Sequence, residues 1–162
     1  MGLPIDTTKA ERRTLRFETV DELLAEVDRI VAAEQAGTLR RTGNWTTGQI
    51  FNHVSAWVLY GYNGYPADAR WFTKIMFRAR MTAVLNNPMR AGVIMPHVPN
   101  GTYSTDVVST EEGAEKLRGA FTRLKNGEPC THASQVLGEL TQEERIQYNL
   151  RHAELHLSFL HY

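Results

Sequence analysis

One start signal is spelled four times along this chain, and it limits the fold more than any other feature. Thr19-Val20-Asp21-Glu22, Thr46-Thr47-Gly48-Gln49, Ser109-Thr110-Glu111-Glu112 and Thr141-Gln142-Glu143-Glu144 each fit a capping box. In that box a hydroxyl and a carboxylate or amide reciprocally satisfy backbone N–H groups that a helix start leaves without partners. Apolar residues three and four apart follow each box. The first stretch carries Val20, Leu23, Leu24, Val27, Ile30 and Val31 and ends before Gly37. The second carries Ile50, Val54, Trp57, Val58 and Gly61, with Trp45 placed to staple onto Ile50, and stops at Gly64-Tyr65-Pro66. Ala114, Leu117, Phe121 and Leu124 mark the third, closed by Asn126-Gly127, and Ile146, Leu150, Ala153, Leu157 and Leu160 mark the last. Four capped amphipathic helices predict an all-α four-helix bundle.

Between the second and third boxes, residues 71–85 repeat the helical pattern in a basic stretch closed by Asn87-Pro88. This extra helical segment leads into a long loop over residues 86–108, which contains Pro88, Pro96 and Pro99. Strand signals are confined to Val93-Ile94-Met95 and residues 103–108, so any sheet is expected to be minor. With 162 residues, no repeat and no low-complexity segment, residues 1–162 read as one domain.

Composition narrows the function. Eighteen basic and eighteen acidic side chains cancel, so no global field gathers phosphates or anionic lipid, and nucleic acid is not an expected partner. No apolar run approaches the roughly 20 residues that cross a bilayer. The N-terminus lacks the apolar centre of a signal peptide, and Cys130 is the only cysteine. A cytoplasmic protein without disulfides or a membrane span is the expectation.

The histidines suggest chemistry. On a wheel of about 100° per residue, Glu143, Gln147, Arg151, Glu154 and Ser158 share a polar arc of the last helix. Asn149, His152 and His156 fall opposite it, so both histidines point inward on adjacent turns. Such a pair grips a divalent metal, but it also serves as a hydrogen-bonded structural pair, and spacing alone does not choose. His53 lies on the flank of the second helix beside Ile50 and Trp57, with Gln49 and Tyr60 on the same side, and is a candidate third ligand. Three imidazoles leave an open fourth position, the form of a catalytic site. No general base is built in, because Ala153 rather than a glutamate follows His152. His97 is a loop residue, Cys130 and His132 form a thiol–imidazole pair without an orienting third group, and His161 is expected to fray at the chain end. The tryptophans at 45, 57 and 71 and the tyrosines at 60, 62 and 65 form either core or the wall of a pocket.

The segment Trp45-Thr46-Thr47-Gly48-Gln49-Ile50-Phe51-Asn52-His53 resembles the Trp-x-x-Gly-Gln-Ile-x-x-His signature of the DinB-like (YfiT-like) superfamily. The tail, from Leu137-Gly138-Glu139-Leu140-Thr141 through His152 and His156, is similar to one uncharacterised branch of it, as is the lead-in Arg12-Arg13-Thr14-Leu15-Arg16-Phe17. The chain departs from that branch at Ser134-Gln135, where a His-Pro is usual, and at Leu155-His156, where adjacent histidines are usual. The resemblance implies an up-down-down-up bundle, a homodimer, and a divalent ion, zinc or nickel, held by His53, His152 and His156. It further implies a metal-dependent enzyme acting on a small-molecule substrate or thiol, as some relatives are thiol-dependent transferases or isomerases. A metal-dependent hydrolase and a non-catalytic metal or small-ligand binder are the alternatives. Gln49, Trp57, Tyr60 and Asn149 are the candidates for the surrounding pocket.

Overall fold

Three of the four boxes close in both directions and the fourth in one. The computed structural model describes residues 4–66, 75, 78–95, 98 and 101–162. Helix α1 spans Val20–Gln35, α2 spans Thr47–Asn63 and α5 spans Gln142–Leu157, each opened by a reciprocal box on Thr19, Thr46 or Thr141. Helix α4, Thr110–Lys125, starts on Ser109, whose hydroxyl accepts the Glu112 N–H. The Glu112 carboxylate turns away to Lys116, 2.7 Å distant. Helix α3, Met81–Asn86, is short, lacks a side-chain cap and stops at Asn87-Pro88. The remainder of the segment read as helical from residue 71 lies largely outside the described residues.

The four long helices share one core, built from Leu23, Val27 and Ile30 of α1, Ile50, Phe51, Val54 and Val58 of α2, Leu117, Phe121 and Leu124 of α4, and Leu150, Ala153 and Leu157 of α5. A smaller cluster of Leu85, Leu137 and Tyr148 seats α3 on α5. The all-α reading holds, with five helices among the described residues.

The most extensive helix pairing is α2 with α4, and glycine makes it possible. A methyl group on Gly48 would lie 2.1 Å from the Val108 carbonyl oxygen and 2.6 Å from that of Ser109. One on Gly113 would lie 2.7 Å from the Gly48 carbonyl oxygen. The first turns of the two helices therefore meet backbone to backbone. Gly48→Ala is expected to destabilise the fold by about 2 kcal/mol or more, because backbone rather than a pliable side chain must move. Gly119→Ala, on α4 with nothing within 4 Å, is expected to stabilise by about 0.5–1 kcal/mol. Urea midpoints of the two variants check the contrast.

Two expectations need correction. Residues 93–95 and 103–108 form no strand, and Val93 is 77% exposed. The sheet is instead a two-residue antiparallel ladder, β1 (Arg40–Arg41) with β2 (Leu160–His161), pairing Arg40 with His161 and Arg41 with Leu160. His161 is thus paired rather than frayed, and the Tyr162 hydroxyl donates to Glu26 at 2.9 Å.

The polar arc of α5 is also not a solvent face over its last two turns. Arg151, Glu154 and Ser158 are buried, because the segment before α1 lies across them. The Phe17 N–H donates to Glu154 Oε1 at 2.6 Å, Arg151 Nη2 donates to the Phe17 carbonyl, and the Arg13 N–H donates to the Ser158 carbonyl at 2.9 Å. Arg151 and Glu154 pair at 3.0 Å. Helix α5 is therefore fixed in position from both sides.

Candidate metal centre

Helices α2 and α5 bring His53, His152 and His156 into one cluster. Ring centroids lie 5.1 Å apart for His53 and His152, 4.5 Å for His53 and His156, and 4.6 Å for His152 and His156. The i, i+4 spacing on α5 places the Nε2 atoms of His152 and His156 3.0 Å apart. One nitrogen of each ring lies within 4.8 Å of the other two. Imidazole nitrogens around a tetrahedral zinc stand about 3.3 Å apart, given Zn–N bonds near 2.0–2.1 Å. The set brackets that spacing, so the three rings fit one ion after small side-chain adjustments.

The cluster is oriented from outside. The returning loop before α4 presents the Tyr103 carbonyl to His53 Nδ1 at 2.8 Å. A carbonyl only accepts, so Nδ1 carries the proton and the Nε2 lone pair is left for the cluster. Trp45 stacks on His156, with centroids 5.4 Å apart and planes at 9°, and also packs 4.9 Å from His53. Trp57 packs on the other flank, 5.2 Å from His152 and 6.0 Å from His53.

Burial governs the protonation of all three rings. His53 is 1% exposed, and desolvation pushes its pKa down to about 4, against the upward pull of the Tyr103 carbonyl. Desolvation also holds His152 well below the ordinary histidine value, with His53 adding to the effect. His156 is lowered in the same way, then by His152 and His53. No carboxylate among the described residues contributes to these shifts. The triad is therefore neutral at pH 7, with lone pairs ready for a cation.

Of the pocket residues read from the sequence, Trp57 reaches the imidazoles. Tyr60 stands one ring further out, 6.0 Å from Trp57, with its hydroxyl 2.6 Å from that of Ser104. The Gln49 amide accepts from the Thr46 N–H and donates to the Thr105 carbonyl, both at 2.9 Å. It thus anchors the loop that carries Tyr103. Asn149 is buried and donates to the Arg145 carbonyl of its own helix at 2.9 Å. Trp45, read from the sequence as a staple and as core or pocket wall, packs on the imidazoles. Tyr103 enters the site without a sequence signal, since it contributes only a carbonyl, which every residue has.

The remaining candidates lie elsewhere. The Cys130–His132 loop packs on the far end of α2, where the His132 N–H donates to the Gly61 carbonyl at 3.0 Å, about 12 Å along the helix from His53. His97 is outside the described residues. Two open clefts, of about 400 Å³ beside Leu137 and about 360 Å³ beside Phe17, include no triad residue in their walls.

Fold and site together define a helical-bundle protein with a tri-histidine cluster suited to a metal ion, in which His53 and His152 are buried and His156 is half-buried. The chain belongs to the family described as "Protein of unknown function (DUF1569)", which matches residues 9–162. No curated protein and no solved structure matches it.

Proposed function

We propose that this protein is a metal-dependent enzyme of the DinB-like kind that transfers a small thiol to an electrophile. The observation that carries this reading is a largely buried triad of neutral imidazoles with no carboxylate among the described residues contributing to its field. His53, His152 and His156 would hold a divalent ion, zinc or nickel, which supplies Lewis acidity and lowers the pKa of a bound thiol or water. Tyr103 keeps the His53 lone pair turned to the cluster. Trp45 and Trp57 flank the imidazoles and limit water there. The rings of Trp57 and Tyr60 offer a wall for an apolar electrophile.

Thiol transfer is favoured over hydrolysis because hydrolysis needs a nearby carboxylate to manage protons. Glu154, the acidic residue between the two α5 histidines, is committed to the Phe17 N–H and to Arg151. Metal binding without turnover is the second reading, since no acidic group among the described residues takes part in the cluster.

The test compares consumption of small thiols by an electrophile in the metal-loaded protein and in His156→Ala. Faster consumption by the parent, varying from thiol to thiol, is the expected result. Equal rates for all thiols, with ester hydrolysis that depends on the same metal, would reverse the ranking.

A further inference from the structure

Trp57 is 8% exposed, and its indole Nε1 has no hydrogen-bond partner among the described residues. A buried N–H left without an acceptor is costly, and this one belongs to a ring 5.2 Å from His152 and 6.0 Å from His53. Tyr60, whose ring lies 6.0 Å from that of Trp57, pairs through its hydroxyl with Ser104.

The charge balance leads the same way. Three neutral imidazoles cancel none of a divalent ion's charge, and a buried charge without a counter-charge is strongly disfavoured. A ligand that completes the site is therefore stabilised if it brings a negative charge, and further stabilised if it brings an acceptor for the Trp57 N–H. A carboxylate does both, with two oxygens and about four lone-pair positions.

We propose that Trp57 is a positioning residue whose indole N–H receives the carboxylate of the ligand completing the His53–His152–His156 site, so that the protein selects carboxylate-bearing small molecules over neutral ones. The inference rests on the metal reading above, and within thiol transfer it assigns the carboxylate to one of the two reactants.

The probe is acetate, titrated into the zinc-loaded protein with neutral acetamide as comparison. Two readouts are independent of turnover. Indole N–H resonances in a ¹⁵N-labelled sample report on the hydrogen bond, with Trp57→Phe identifying the Trp57 signal, and calorimetry gives the affinity. The expected result is a downfield shift of the Trp57 resonance with acetate and none with acetamide. Trp57→Phe should keep its zinc and bind acetate about tenfold more weakly or worse. An unmoved Trp57 signal, or equal acetate binding by zinc-loaded Trp57→Phe, overturns the inference and leaves the metal site standing. Failure of the parent protein to take up either zinc or nickel overturns both. If Trp57→Phe does not fold, Trp45→Phe and Trp71→Phe assign the other two of the three indole signals, the remaining one is Trp57, and its resonance shift decides.

Discussion

Alanine at any one of His53, His152 or His156 is expected to abolish tight binding of the divalent ion. Each ring is one of three protein ligands, and no acidic side chain among the described residues joins the cluster to replace it. Partners that merely orient a ligand already command 10–100-fold in affinity, so loss of a ligand itself should cost about a hundredfold or more. His132→Ala and His161→Ala should retain the metal, as neither residue belongs to the cluster. Elemental analysis of the purified variants is the measurement, and undiminished metal in any of the first three would remove that residue from the site.

The same histidines set an acid limit on the metal-free fold. Burial lowers the folded pKa of His53 from 6.5 to about 4, so between those values the unfolded chain takes up a proton that the native state refuses. Stability therefore falls as pH drops through that window and is unaffected by this group above it. At about 1.4 kcal/mol per pH unit, His53 alone accounts for roughly 3 kcal/mol. The pH dependence of the urea midpoint should be shallower in His53→Ala by that amount.

What the sequence discloses follows the range of the interactions involved. Helix starts are local, since a hydroxyl and a carboxylate three residues apart decide them, and Thr19, Thr46 and Thr141 behave accordingly. The inward direction of His152 and His156 is local too, being fixed by helical spacing. Gly48 belongs to the recognised signature, but its reason is visible only against the Val108 and Ser109 carbonyls. The ladder between residues 40–41 and 160–161 joins two-residue strands from distant parts of the chain, too short to leave a pattern. A helical wheel likewise sends Arg151 and Glu154 to solvent, because their partners are backbone groups of Phe17, more than 130 residues away.

Glu154→Ala should cost about 3–5 kcal/mol, the largest single loss of stability expected outside the apolar core. Arg151 is 1% exposed, and burial lowers its pKa despite the opposing pull of Glu154. Its Nε and Nη1 have no hydrogen-bond partner among the described residues, so the guanidinium relies on Nη2, which meets Glu154 at 3.0 Å and the Phe17 carbonyl. Removing the carboxylate leaves a buried cation without its counter-charge and the Phe17 N–H without its acceptor. Glu154→Gln keeps an acceptor while deleting the charge and should fall between the two. The double variant Arg151→Met, Glu154→Leu should recover much of the loss, since apolar replacement of a buried pair is often neutral or better. Arg151 and Glu154 flank His152 and precede His156 on the same turns of α5, so the single variants should also weaken metal retention, through a loosened helix. Urea titration read alongside metal content checks both effects. A cost below about 1 kcal/mol for Glu154→Ala would mean that the pair is solvated, and that the segment around Phe17 does not hold α5 in place.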